Sequence, residues 1–325
     1  MSFKICTIGE LLVEFLAKEQ NQRFDQTGEF IGPFPSGAPA IFADQVAKLG
    51  FQVVFFSCVG KDAFGKMCIN RLEKDGVITE GITSHKKANT GSAFVTYKGE
   101  DERDFIFNIP NSACGLLSFN HINENLLKDC NHLHVMGSSL YSFRAIDAMR
   151  KALDIIKNKG GTISFDPNLR KEMFDIQEME QSFDYIMEYT DIFLPSENEV
   201  SYFAHNNGES EEQTMKALLE KGIKHIVVKA GAKGANYYGY DEQNNYKSIH
   251  VDGYLTNFVD PTGAGDCFAA TFVSLMLAGF SVEKALQYAN VSGALAVSKK
   301  GPMEGTSTLI ELEKFLSHNS MKSKS

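Results

Sequence analysis

An α/β fold of three layers, with helices on both faces of a mostly parallel central sheet and a small β-sheet lid, is what the sequence predicts. Three observations carry the prediction. Apolar runs of strand length alternate with segments of helical period along most of the chain. That repeated order implies a largely parallel sheet covered by helices on both faces. Two polar, alternating segments with glycine-containing turns interrupt the rhythm and read as strands outside the main sheet.

The elements follow in order. "FQVVFFSCVG" (51–60) reads as a strand, with a helix near 63–75 after it. "HLHVMGSS" (132–139) is the strand before the helical "FRAIDAMRKALDIIKNKG". "GTISFDPN" (161–168) is a strand ending in a turn, and "DIFLPSENEV" is a strand running into a helix start. "EEQTMKALLEKG" is a helix stopped by glycine, and "HIVVKAG" is the strand beyond it. The interruptions at 13–35 and 91–108 are expected to be antiparallel strands that together build the lid. The core then comprises 1–12, 36–90 and 109–318, and 319–325 is a frayed tail. Sheets of this kind bind ligands beyond the carboxyl ends of their strands, where the motifs below fall.

Composition narrows the function classes. The chain has 325 residues, 43% of them hydrophobic, and a formal net charge of -9. Such a chain can bury a sizeable core. Its negative balance argues against non-specific nucleic-acid binding, which needs a cationic face. Cys6, Cys58, Cys68, Cys114, Cys130 and Cys267 are scattered, mostly inside apolar runs and without a CxxC pair. They read as reduced core residues of an intracellular protein. "MSFKICTIGELLVEF" does not have the pattern of a signal peptide. The apolar run Cys267 to Val282 is shorter than the ~20 residues of a spanning helix. A cytoplasmic protein with no membrane or nucleic-acid partner is expected.

Two glycine loops compete as phosphate sites. "GKDAFGKM" (Gly60 to Met67) nearly matches the P-loop pattern, but Met67 cannot hold Mg²⁺ as a hydroxyl would. Asp62 also puts a negative charge inside that cradle. "DPTGAGD" (Asp260 to Asp266) fits better. Gly263, Ala264 and Gly265 carry little bulk, and an apolar, buried helix after them aims its positive end at the same point. Asp266 stands where a phosphate comes closest, at a Coulomb cost. An acid in a first helical turn also fits plain capping. Its place after the glycines, not before them, points elsewhere.

At these residues the chain resembles the ribokinase-like, or PfkB, family of ATP-dependent sugar kinases. The resemblance runs in order along nearly the whole chain: "VVFFSCVGKDAFG", "FDPNLR", "DPTGAGD" and "ANVSGALAVSKKGP". It implies a ribokinase-like sandwich with ATP, Mg²⁺ and, in some members, K⁺. It also implies an anion hole at Gly263, Ala264 and Gly265 with Asp266 as catalytic base. Arg170 is implied at the transferring phosphate, with Asp166 and Asn168 orienting it or the sugar. Glu199 matches the family's N-x-x-E motif, which organises Mg²⁺ waters, although Ser196 stands where Asn is usual. Lys229, Gly231, Gly234, Asn290 and Ala294 fall on the nucleotide side. Asp260 and Thr262 resemble positions that line the potassium site.

On the sugar side, "PSGAPAIFADQVAKLG" (35–50) matches the family's sugar-binding segment, implying Ser36, Gly37, Ala38 and Ile41. It departs from the pattern too: Ser36-Gly37 replaces Gly-Gly, Ile41 replaces a frequent Asn, and Gly9-Glu10 replaces Gly-Asp. Arg103 in the lid strand is a candidate for a sugar oxygen or a carboxylate, with Arg23 the other lid candidate. Tyr97 and Phe107 are candidates to cover the ring, or simply to pack the lid. The pattern is similar to ketohexose kinases of the tagatose or fructose type and to 2-dehydro-3-deoxygluconokinases. A catalytically inactive nucleotide-binding regulator stays open as a different class. A dinucleotide oxidoreductase is disfavoured, since no clean G-x-G-x-x-G follows the first strand. Lid sheets with exposed apolar faces, here Phe94, Phe105 and Phe107, often pair, so a homodimer through the lid is expected.

One bland constellation completes the reading. Cys130, His132 and His134 share a face if their segment is a strand, which invites a zinc site. No fourth ligand is evident, and core histidines are the default.

Overall fold

A computed structural model describes residues 3–98, 102–169, 177–204 and 208–322. Its strands, in chain order, are β1 (Lys4–Ile8), β2 (Leu12–Ala17), β3 (Phe30–Ser36), β4 (Gln52–Gly60), β5 (Ile82–His85), β6 (Gly91–Lys98), β7 (Glu102–Asn108), β8 (His132–Met136), β9 (Thr162–Asp166), β10 (Ile192–Phe193), β11 (His225–Lys229), β12 (Ala235–Tyr240) and β13 (Tyr246–Val251). The main sheet runs β13-β12-β11-β10-β9-β8-β1-β4-β5. It is parallel from β11 through β5, and only β12 and β13 join antiparallel at one edge.

Alternation along the central strands builds two cores. Val53 and Phe55 of β4 face one cluster, while Val54, Phe56 and Cys58 face the other. Helices Ala38–Lys48, Ala264–Leu277 and Val282–Val297 cover the first face, and Phe143–Asn158, Gln177–Tyr189 and Glu211–Glu220 cover the second. This is the ribokinase-like three-layer arrangement. Burying each large aliphatic or aromatic side chain stabilises it by roughly 1.5–3 kcal/mol. The six cysteines are all buried and free. No described helix is long and apolar enough to cross a membrane.

The strand order reverses at β1: the chain first moves to β4 and β5, then crosses to β8 and onward. A crevice opens at such a switch point. Glu10 follows β1, Ser138 follows β8, Asp166 ends β9 and Lys229 ends β11. Four polar side chains from distant parts of the chain are thereby gathered at one sheet edge.

The lid is a second sheet, ordered β3-β2-β6-β7. Its two hairpins are antiparallel as expected, but the central pair β2–β6 is parallel, with Leu12 opposite Gly91. Both strands leave the core in the same direction, so their pairing cannot be antiparallel. A second correction concerns the apolar face. Phe105 and Phe107 line the cavity beneath the lid, whereas Phe94 and its partner Ile106 occupy the other face. Period-2 alternation puts neighbours such as Phe105 and Ile106 on opposite sides.

Candidate active site

At one end of the crevice the "DPTGAGD" turn enters helix Ala264–Leu277. The buried Asp260 carboxylate accepts from Thr262 N (3.0 Å), Thr262 Oγ1 (2.7 Å) and Gly301 N (3.0 Å). Gly263 is the N-cap, at φ 81°. A Cβ there would lie 2.4 Å from the carbonyl oxygen of Pro302, so only glycine fits. No side chain caps this helix. Ala264 N donates to Pro261 O (3.4 Å), and a helix start without a side-chain cap is, with the helix dipole, suited to an anion. At Gly265 a Cβ would meet nothing nearer than Lys229 Nζ at 3.8 Å, which shows how open the turn is. Asp266 lies in the first turn and lines the cavity.

Lys229 stands between three carboxylates. It is ion-paired with Asp166, which also accepts from Asn168 N at 3.2 Å. Burial pushes the Asp166 carboxyl up to about 6, against the pull of Lys229. Burial works to lower the Lys229 ammonium, but Asp166, Glu199 and Asp266 outweigh it and hold it above its ordinary value. At neutral pH both members of the pair are charged. Glu199 accepts from Leu169 N (2.6 Å), Ser196 N (2.7 Å) and Ser196 Oγ (2.8 Å). Ser196, where the family pattern has Asn, thus caps helix Glu197–Phe203 and locks Glu199 in place.

The other end of the cavity is built differently. Glu10 is buried and accepts from Ser139 Oγ at 2.7 Å; Glu14 of β2 is buried and accepts from Ser36 Oγ at 2.7 Å. Gly37 needs its positive φ, and a Cβ there would lie 2.3 Å from the Glu10 carbonyl oxygen. Arg103 reaches down from the lid, its Nη1 donating to Thr262 Oγ1 at 3.1 Å. Asn168, at φ 40°, donates to Ser138 Oγ at 3.2 Å.

One cavity of about 570 Å³ contains both ends. Of the residues singled out in the sequence, it is lined by Glu10, Ser36, Gly37, Ala38, Ile41, Arg103, Phe107, Asp166, Asn168, Glu199, Lys229, Gly231, Thr262, Gly263, Gly265 and Asp266. Ala264, Asp260, Gly234, Asn290 and Ala294 are not among its lining residues. Asn290 donates to the carbonyls of Val251 (3.0 Å) and Asp252 (3.2 Å), holding the segment after β13. Tyr97 does not line the cavity, and Arg23 pairs with Asp25 on the surface. Arg170 lies outside the described residues.

The near-P-loop is closed from within. Asp62 caps helix Ala63–Asp75, accepting from Gly65 N (2.8 Å), Thr90 N (2.8 Å) and Thr90 Oγ1 (2.7 Å). The histidines are likewise committed. His132 bonds Thr162 Oγ1 (2.7 Å) and Ser164 Oγ (2.8 Å), and His134 bonds Ser164 Oγ (2.8 Å) and stacks on Phe42. Burial drives both imidazoles below their ordinary value, so they are neutral core groups.

A family model described as pfkB family carbohydrate kinase matches residues 2–309. The chain belongs to that family. This kinase is 32% identical to "Probable fructokinase-5" of Arabidopsis thaliana over 99% of its own length and 98% of the relative's. It resembles a putative Ribokinase II from E. coli, solved in complex with ATP and Mg²⁺, at 51% identity and TM-score 0.90, covering 97% and 99% of the two chains. It also resembles a fructokinase from Vibrio cholerae O395 solved with fructose, ADP and calcium ion, at 26% identity and TM-score 0.81, covering 97% and 99%.

Sequence reasoning missed Glu14, Ser138 and Tyr141, and put Phe105 on an exposed face; all four line the kinase's cavity. Glu14 carried a signal: it is a lone acid at the centre of the apolar strand "LVEFLA". Ser138 and Tyr141 follow β8 in a polar turn that resembles any other loop, so only the assembled crevice reveals them.

Proposed function

We propose that this kinase transfers the γ-phosphate of ATP to a hydroxyl of a neutral ketohexose of the fructose or tagatose type, with Asp266 as the base. The observation that carries the reading is one cavity joining an uncapped, acid-bearing helix start to a floor of two buried carboxylates. Glu10 and Glu14 are acceptors suited to sugar hydroxyls, and they disfavour an anionic substrate. The fructokinase relatives, one of them solved with fructose and ADP, support the same choice.

The chemistry follows from placement. The attacking hydroxyl loses its proton to Asp266, a step worth about 10²–10⁴ in rate. The amides that begin helix Ala264–Leu277 face the charge on the transferred group, each donor worth on the order of 10²–10³. Lys229, held charged by its carboxylate neighbours, adds a fixed cation. The donor set suits Mg²⁺ bound through water: Glu199 lines the cavity, yet its oxygens already accept from Leu169 and Ser196. When bound, the metal neutralises charge on the phosphates. The buried Asp260 accepts from neutral donors, an environment that also suits a monovalent cation.

Arg103 on the cavity wall supports a second reading, a 2-keto-3-deoxy sugar acid, because a guanidinium fits a carboxylate. ADP release in the presence of ATP and Mg²⁺ separates the two. The ketohexoses are expected to exceed 2-keto-3-deoxygluconate in kcat/KM by about tenfold or more. A reversed preference would replace the ketohexose reading with the sugar acid. No sugar-dependent ADP across ketohexoses, aldopentoses, nucleosides and keto-sugar acids would overturn both.

A further inference from the structure

Arg71, in helix Ala63–Asp75, lies outside the cavity and has no part in the chemistry above, yet it joins three elements. Its Nε donates to Asp75 Oδ2 at 2.6 Å and its Nη2 to the Met303 carbonyl at 2.8 Å. The same Nη2 reaches Asp44 Oδ2 at 3.2 Å and Thr306 Oγ1 at 3.4 Å, and Nη1 lies 3.6 Å from Glu304 Oε1. Asp44 is fully buried and sits on helix Ala38–Lys48, whose first turns carry Ala38 and Ile41 into the cavity. Thr306 Oγ1 donates to that same Asp44 oxygen at 2.7 Å. On the next residues, Gln45 and Ser307 exchange two hydrogen bonds, at 2.9 and 2.8 Å.

The segment 301–307 held in this way backs the anion turn at two points. Gly301 N donates to Asp260 Oδ2 at 3.0 Å, and the Pro302 carbonyl sits where a side chain on Gly263 would be. A third contact faces the lid, since a Cβ on Gly301 would lie 3.0 Å from the Phe34 ring of β3. One planar fork with fixed donor directions therefore spans the sugar helix and the strap behind the phosphate turn. An ammonium could neutralise Asp44, but its donors leave a single nitrogen and do not reproduce the fork in which Nε takes Asp75 while Nη2 takes Met303 and Asp44.

We propose that Arg71 is a positioning residue for the transfer: through Met303, Glu304 and Thr306 it fixes segment 301–307, and so holds Gly263 and Asp260 in register with the sugar helix. The inference rests on Gly263–Asp266 being the reacting end of the cavity. Misplacement of a reacting group by about 1 Å costs on the order of 10²-fold in rate.

Arg71→Met alone strands a buried carboxylate at Asp44 and can unfold the chain. The test therefore uses the double variant Arg71→Met/Asp44→Asn and, separately, Arg71→Lys. Each is compared with wild type by melting temperature, by kcat and sugar KM, and by amide hydrogen exchange of peptides covering 259–267 and, as a control, 132–140. In the variants that fold, kcat is expected to fall about 10- to 100-fold with sugar KM within about twofold. Exchange in 259–267 is expected to speed up about tenfold or more, with the control unchanged. The lysine variant should be less affected than the double variant. Wild-type exchange in 259–267 in a folded variant would overturn the proposal, as would faster exchange with unchanged kcat. If the wild type phosphorylates no sugar, the functional reading fails while exchange still decides the clamp. If Asp266→Asn is inactive and the Arg71 variants are not, only the clamp fails.

Discussion

The molecule contains two strand–glycine–helix turns with an acid, Gly60–Gly65 and Gly263–Asp266, and they are opposite in design. In the first, the acid precedes the helix. Asp62 turns back onto Gly65 N and Thr90, and those hydrogen bonds outweigh burial to hold its carboxyl below the ordinary value. A Cβ on Gly65 would lie 2.2 Å from the Gly60 carbonyl, so this turn is packed shut. In the second, the N-cap is a glycine without a capping side chain, and the acid comes three residues later, on the cavity wall. In the proposed reaction, the shift of the acid from before the first turn to within it would leave the helix start to the phosphate and Asp266 to the second reactant. Motif spelling hides this difference; the partners of the amides show it.

That comparison can be broken at several points. Asp266→Asn should have the largest effect, lowering kcat by about 10²–10⁴ while the ATP dissociation constant, read by calorimetry, stays within about twofold. A variant keeping more than a few per cent of wild-type kcat would mean that Asp266 is a cap like Asp62. A smaller effect concerns pH. Asp166 must be ionised to hold Lys229, and its carboxyl stands at about 6, so kcat/KM should fall as pH drops through about 6. With the ammonium gone Asp166 has no cation to hold, so Lys229→Met should lower kcat/KM and abolish this limb. A limb that stays put in the variant would detach it from Asp166. The smallest effect belongs to the closed turn. Asp62→Ala removes a cap and two hydrogen bonds from Thr90, so chemical denaturation should show a loss of about 2–3 kcal/mol, with kcat within about twofold of wild type. A large loss of kcat at full folding would return the near-P-loop to the active site.

Much of this was legible in the sequence because it is local. Strand and helix periods depend on neighbours within one element, and they yielded the layers and the presence of a second, smaller sheet. The glycine spacing in "DPTGAGD" specifies a tight turn at a helix start by backbone sterics alone. Gly37 was legible only through the resemblance of the segment 35–50; that its turn needs a positive φ came from the structure.

The order of elements, the open turn and the acid within it are local properties of the chain, since they follow from steric and periodic rules that act over a few residues. Tertiary structure decided which distant groups meet. The parallel β2–β6 pair, the placing of Phe105 and Phe107 under the lid, and the pairing of Asp166 with Lys229 across 63 residues all depend on strand order. So does the pairing of Glu14 with Ser36 on the cavity floor, and the fork of Arg71 across three elements. Contacts of that kind are fixed when loop closure brings elements together around a shared core, and no local pattern encodes their partners.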